Sequence, residues 1–297
     1  MNHTYVLGVD IGGSHITAGV VDLQEKRLLE ESICRQKINS HEGVDHIIAA
    51  WAHVIQESIQ ASGKEVTHIG MALPGPFDYE LGISYIKGVD NDKYGQLYGK
   101  NVKALLSIAL NLSPTHILMK NDAGCFLQGE IFCGAARGET RCIGLTIGTG
   151  IGTCKTVNGI GEDADRWRTP FKDSIAENYL STRWFVKRYK ELFGTEVKDV
   201  KALCALLETE PSIQLIFDEF AENLGTFLTT FIREELPSVV IMGGNIANAD
   251  IYFLPKVIRH LEKEKITVPI RKSILGEHAA LLGSAGLWSM HPKLTNV

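Results

Sequence analysis

Short apolar runs that end in glycine recur along this 297-residue chain, separated by stretches whose apolar residues return at helical spacing. The first run, Tyr5 to Val9, is β-favouring and leads through Asp10 and Ile11 into Gly12, Gly13 and Ser14, with Ile16 to Val21 reading as the returning strand. Two glycines permit the backbone angles of a narrow turn, so the pattern predicts a β-hairpin. Leu28 to Arg35 predicts a third strand, and Gly43 to Ser62 a helix with one buried stripe of Val44, Ile47, Ile48, Trp51, Val54, Ile55 and Ile59. His68 to Leu73 predicts a strand running into the turn Pro74-Gly75-Pro76. Asp78 to Asn101, rich in Gly, Tyr and Asp without a period, predicts an exposed loop. Asn101 then caps a helix to Asn111, Ile117 to Lys120 is a short strand, and Asn121-Asp122 precede a helix from Ala123 to Phe132.

The second half repeats the opening pattern. Strand Cys142 to Ile147 enters Gly148-Thr149-Gly150 and returns as Ile151 to Val157. Two strand-turn-strand units of this kind suggest a duplicated unit whose turns face each other across a cleft. Asn158 to Asp173 is polar and irregular, and Ser174-Ile175-Ala176-Glu177 fits a capping box opening a long helix. Helices follow at Val197 to Glu208 and Ser212 to Glu235, the latter striped with Phe217, Phe220, Leu224, Phe227 and Phe231. Val239 to Met242 is a buried strand ended by Gly243-Gly244-Asn245; Phe253 to Glu264 is a helix and Thr267 to Ile274 a strand. The helix from Glu277 to Trp288 carries small residues that allow close packing.

The chemistry lies in the turns. Backbone N–H groups and the Ser14 hydroxyl converge on a small volume where phosphate can bind, and Asp10 can hold magnesium beside it, directly or through water. The dinucleotide fingerprint is excluded because its glycines open a helix, whereas here the chain turns back into a strand. Gly95 to Asn101 misses a Walker loop by one residue of spacing and by Asn101 at the hydroxyl position. For Asn121-Asp122 two readings stand: an ordinary helix cap, or a carboxylate at the C-terminal end of a strand where α/β proteins bind ligands.

Composition narrows the classes. A formal net charge of -5 gives no footprint for nucleic acid or an anionic membrane surface. No apolar run approaches the ~20 residues that span a bilayer, and no basic segment followed by an apolar stretch opens the chain, so a cytoplasmic protein is expected. Cys34, Cys125, Cys133, Cys142, Cys154 and Cys204 have neither disulfide-framework nor zinc-knuckle spacing.

Six motifs in order, Asp10-x-Gly-Gly-Ser14, Pro74-Gly75-Pro76, Asn121-Asp122-Ala123, Thr146-x-Gly148-Thr149-Gly150-x-Gly152, Val240 to Asn245 and Ala280 to Gly286, resemble the ROK family of sugar kinases and sugar-responsive repressors over nearly the whole chain. The resemblance implies an α/β fold of two ribonuclease-H-like domains of the actin/hexokinase type with an inter-domain active-site cleft. Residues 1–119 plus 277–297 would form the smaller domain and 120–276 the larger. It implies Asp122 as general base, Asn121, Gly75, Glu177 and Glu162 as sugar-binding residues, and Asp10, Gly12, Gly13, Ser14, Thr146, Gly148, Thr149, Gly150, Gly243, Gly244 and Asn245 around ATP and Mg2+. It also implies a homodimer.

The chain departs from the family pattern between Asn158 and Asp173. Many members carry Gly-Glu-x-Gly-His and a cysteine-rich zinc loop there; this chain has no cysteine or histidine in that segment and only Gly161-Glu162-Asp163-Ala164-Asp165 as a counterpart, so no zinc is expected. The expected function is an ATP-dependent hexose kinase acting at the 6-hydroxyl, glucose being the default sugar. Polyphosphate as donor, with Lys87, Lys93 and Lys100 as candidate cations, a sugar-sensing protein without catalysis, and an actin-like scaffold are the alternatives.

Overall fold

The computed structural model describes residues 3–87 and 93–291. They form two compact units: 3–87 and 93–137 with 160–162 and 277–291, and 138–159 with 163–276.

In the first unit, β1 (Tyr5–Ile11) and β2 (His15–Asp22) form the expected hairpin, with Ile11 opposite Ile16. The expected third strand is broken in two. β3 (Arg27–Leu28) and β4 (Cys34–Lys37) both pair with β2, and a 3-10 turn at Glu30–Ser32 separates them. The cause is Ser32, fully buried, whose hydroxyl donates to Leu29 O at 2.6 Å and accepts from Val20 N–H at 2.8 Å. α1 (Val44–Ser62) lays the expected stripe, including Ile47, Trp51, Val54 and Ile55, on this sheet. β5 (Ile69–Leu73) runs parallel to β1.

The segment expected to be a loop is more ordered than its composition suggests. β6 (Phe77–Asp78) and β7 (Ile83–Ser84) make a small hairpin, and Ile86, Tyr94 and Leu97 enter the core. Gly88 to Asp92 of that segment lie outside the described residues. α2 (Val102–Leu110) is capped by Asn101, whose Oδ1 accepts from Ala104 N–H at 2.8 Å. β8 (Ile117–Asn121) is parallel to β5, and α3 (Asp122–Cys133) follows without a linker.

The closing helix, Ala279–Gly286, packs backbone to backbone against this unit. A Cβ at Gly70 would collide with the Ser284 carbonyl, and one at Gly283 with the Cys125 carbonyl of α3, so glycine is required at both contacts. The Ser284 hydroxyl joins the helix to β1 by accepting from Val9 N–H at 3.3 Å. Because α3 is held on the closing helix, the first unit extends through Arg137, past the expected boundary at Met119.

In the second unit, β9 (Cys142–Ile147) and β10 (Ile151–Val157) form the second hairpin. Of β11 (Ile160–Asp163), residues 160–162 belong with the first unit. β12 (Pro170–Phe171) and β13 (Ser174–Ile175) form a two-stranded ribbon. The expected capping box is absent: Glu177 sits in a 3-10 turn, Ala176–Asn178, and α4 (Thr182–Phe193) begins later. Ser174 instead accepts from Asn178 Nδ2 at 2.8 Å. α5 (Val200–Leu206) is capped by Asp199, and α6 (Gln214–Glu235) buries the expected phenylalanine stripe. β14 (Val239–Gly243) runs parallel to β9, followed by α7 (Asp250–Lys263) and the short edge strand β15 (Ile270–Lys272), three residues of the eight expected. Among the described residues, no helix is long and apolar enough to cross a membrane.

Candidate active site

Parallel pairing brings the candidate residues of the first unit to one edge. Asp10 stands opposite Ala72 and Leu73 opposite Asn121, so Asp10, the Pro74-Gly75-Pro76 turn and Asn121-Asp122 leave the sheet at the C-terminal ends of three adjacent strands. Open α/β sheets bind ligands at this end because the chain leaves the sheet there with polar groups unpaired by the ladder.

Asn121 is both a cap and an oriented amide. Its Oδ1 accepts from Ala123 N–H at 2.8 Å and Gly124 N–H at 3.2 Å, while Nδ2 donates to the Tyr79 hydroxyl at 3.3 Å. Tyr79 donates onward to Leu73 O at 3.3 Å. With Oδ1 engaged, the second Nδ2 hydrogen is the donor this amide has left for a ligand. Gly75 lies beside the pair, where a Cβ would come within 3.1 Å of the Tyr79 hydroxyl. Asp122 opens α3, its Oδ1 accepting from Ala123 N–H at 2.8 Å.

Asp10 carries the strongest electrostatic signature of this edge. Burial pushes its carboxyl up to about 7 and the Asp122 charge adds to this; Arg35 pulls the other way and Glu277 raises it further. Arg35 Nη1 and Glu277 Oε2 are themselves paired at 2.7 Å. The turn that follows is held from two sides. Gly12 N–H donates to His15 O at 2.9 Å, and the Tyr94 hydroxyl donates to Gly12 O at 2.7 Å. Ser14 Oγ lies 2.9 Å from His15 Nδ1. Glu162 is engaged with Lys120 at 2.6 Å, next to Asn121. Gly161 N–H donates to Gln128 Oε1 at 2.9 Å, tying this strand end to α3.

The second unit gathers its own set. β9 and β14 place Thr146 opposite Gly243, so Thr146, Gly148, Thr149 and Gly150 share an edge with Gly243, Gly244 and Asn245. Gly244, at φ +86°, lies so close to the Ile147 backbone that a Cβ there would overlap it, which ties the two glycine turns together. The Gly148 turn closes on itself, its N–H donating to Gly150 O at 2.9 Å and its carbonyl accepting from Thr182 N–H at 2.8 Å. Glu177 packs its carboxylate on Gly150, accepts from Ile151 N–H at 3.3 Å and pairs with Arg183.

Sequence reasoning missed Tyr79, Tyr94, Arg35, Glu277 and Lys120. The tyrosines lie in a stretch whose composition reads as loop, and nothing in their spacing points to the turns they reach.

Two α/β units, each with a β-hairpin turning at glycines and a parallel strand beside it, define the ribonuclease-H-like architecture of the actin/hexokinase type. The glucokinase of Streptomyces griseus in complex with glucose and AMPPNP shares this fold at a TM-score of 0.74 and 21% identity, over 96% of this chain and 99% of its own. The chain belongs to the ROK family, whose model matches residues 6–161 and 172–291. The gap between the matched stretches falls in the shortened segment after Gly161. Relatives spanning nearly the whole chain include the N-acetyl-D-glucosamine kinase of Photobacterium profundum, 24% identical over 94% of this chain and 98% of its own, and the glucokinase of Thermotoga maritima, 26% identical over 95% and 96%.

Proposed function

We propose that this protein is an ATP-dependent sugar kinase that phosphorylates the 6-hydroxyl of a hexose, with glucose and N-acetylglucosamine the leading substrates. The observation that carries the reading is the first unit's edge, where an oriented amide and a helix-start carboxylate, Asn121 and Asp122, lie beside the half-buried Asp10. The whole-length relatives named for kinases of these two sugars support it.

In this reading Asn121, with Gly75 beside it, orients the sugar, and Asp122 takes the proton of the attacking hydroxyl. The sugar oxygen forms a bond to the γ-phosphorus of ATP as the bridge to the β-phosphate breaks, and ADP leaves with that electron pair. Phosphoryl transfer passes through a loose transition state, so Asp122 acts mainly by positioning and accepts the proton late. Gly12, Gly13 and Ser14, with Thr146, Gly148, Thr149 and Gly150, hold the phosphates. Gly243, Gly244 and Asn245 lie by the nucleoside. Magnesium fits the donor set, because Asp10 is a hard oxygen ligand whose carboxyl is raised first by burial and then by the Asp122 charge, both of which a cation would offset, and such a metal takes one or two carboxylates along with water and phosphate oxygens. When bound, it supplies charge neutralisation on the phosphates. Glu177 is assigned to the sugar by the resemblance, and its hold on the Gly150 turn is a further role. Glu162 is the weakest of the assignments, since Lys120 already occupies it.

The test is ADP release by the purified protein with magnesium-ATP across glucose, mannose, fructose, allose, N-acetylglucosamine and N-acetylmannosamine. Turnover with at least one sugar is expected. Silence on all of them, with ATP still bound, overturns the reading in favour of polyphosphate as donor or of a sugar sensor.

A further inference from the structure

The turn at Gly12 to Ser14 is contacted by a side chain from a distant part of the chain. A Cβ at Gly13 would fall on the Nζ, Cδ and Cε atoms of Lys93, so the absence of a side chain at residue 13 is what lets this lysine lie along the turn. Its neighbour Tyr94 explains how it gets there. The Tyr94 ring is 1% exposed and packs edge-on against Trp51 at 5.4 Å, its N–H donates to Ser40 O at 2.9 Å and its hydroxyl to Gly12 O at 2.7 Å. Tyr94 also holds φ at +61°, a left-handed conformation unusual for a bulky residue and maintained only where surrounding contacts enforce it. The strained residue therefore fastens its segment to the phosphate-type turn and delivers the adjacent ammonium to it.

The three lysines of this stretch differ in their surroundings. Lys87 lies over the Tyr98 ring at 5.9 Å, and Lys100 is exposed just ahead of α2. Lys93 lies along Gly13, its ammonium nearest the position a Cβ would take there. An ammonium lying along a glycine-rich turn combines a cation with approachable backbone, the composition of a phosphate site.

We infer that Lys93 is a ligand for the terminal phosphates of the donor, bound at the Gly12 to Ser14 turn and positioned by Tyr94. This inference rests on the kinase reading for the donor's role in turnover, but not for anion binding as such. The chemistry recognised is a phosphoanhydride chain, whether from a nucleoside triphosphate or from polyphosphate. Removing the ammonium should weaken the grip on the phosphates and stabilise the loose, charge-dispersed transition state less.

The experiment compares wild type with Lys93→Met and Lys93→Arg in the full-length protein. Calorimetry measures binding of magnesium-AMPPNP, adenosine and short-chain polyphosphate, and steady-state kinetics separates kcat from the KM of each substrate. Lys93→Met is expected to weaken AMPPNP binding on the order of tenfold or more and to lower kcat/KM for ATP by roughly 10–1,000-fold, with sugar KM and adenosine affinity within about twofold. Lys93→Arg should recover most of both losses. Tighter binding of polyphosphate than AMPPNP by wild type, lost in Lys93→Met, would assign the site to the inorganic donor. If Lys93→Met binds AMPPNP and polyphosphate as wild type does, the inference is overturned. Should wild type turn over no sugar, the kinase reading fails, while the binding arm still decides the role of Lys93. A Lys93→Gln variant serves if Lys93→Met does not fold, since Lys93 is exposed and Gln keeps a polar side chain of similar reach.

Discussion

The two glycine turns solve the same backbone problem with different partners. The Gly148 to Gly150 turn is fastened locally, by its own main chain, by the start of α4 and by the Glu177 carboxylate on Ile151 N–H. The Gly12 to Ser14 turn is fastened from afar, by Tyr94 from a segment some eighty residues later, and it adjoins the half-buried Asp10. A turn closed by nearby main chain provides a rigid surface of N–H groups. A turn closed by distant side chains brings charge as well, so its chemistry depends on the whole unit having folded around it. On the proposed reading, the difference puts the reacting groups in the first unit and leaves a holding role to the second.

The sharpest way to break that division is Asp122→Asn. If Asp122 is the base, kcat should fall by roughly 10²–10⁴ with nucleotide affinity unchanged within about twofold, as read by single-turnover kinetics and calorimetry. Wild-type turnover would remove the first unit's claim to the chemistry. Next in size is Gly150→Ala. The added methyl would displace the Glu177 carboxylate and release Ile151 N–H, so nucleotide Kd should rise by roughly threefold to tenfold, about the value of one hydrogen bond, with kcat barely moved. A loss confined to kcat would contradict a purely holding role.

Asp10 makes the comparison visible without substrate. Its carboxyl is raised in the folded protein to about 7, against about 4 when unfolded, so between those values the unfolded chain binds fewer protons. Stability in chelator should therefore fall as pH rises from about 4 to about 7 and then level off, and Asp10→Asn should flatten that slope and raise Tm above pH 7. An unchanged pH profile in Asp10→Asn would mean that this carboxylate is not the strained group. The smallest effect is expected for Glu177→Gln, which keeps an acceptor for Ile151 N–H and loses the pairing with the mostly exposed Arg183, costing under about 1 kcal/mol. A tenfold rise in sugar KM would instead show Glu177 touching the sugar.

Much of this was legible without coordinates. Strands, glycine turns and the phenylalanine stripe of α6 follow from local periodicity, because side-chain burial repeats at 2 or 3.6 residues whatever the distant partners are. The Ser174 to Glu177 capping box failed because the same residues could satisfy their hydrogen bonds elsewhere: Ser174 with Asn178, and Glu177 with Ile151. Likewise Leu28 to Arg35 has the composition of one strand, and a single buried hydroxyl, Ser32, divides it. Local propensity is a weak preference, and one long-range hydrogen bond is enough to reverse it.

The sequence by itself determined the order of elements, the two glycine turns, the Asn121-Asp122 pair at a strand end and the family to which they belong. Each is a property of a short window, carried by backbone freedom at glycine or by the period of apolar residues. Only the tertiary structure decided that Tyr79 holds the Asn121 amide, that Tyr94 and Lys93 reach the first turn, that Lys120 takes Glu162, and that burial, with Asp122 and Glu277, raises the pKa of Asp10. These join residues up to 267 positions apart, as between Asp10 and Glu277, and contacts at that separation are set by how sheets and helices pack, which no local pattern encodes.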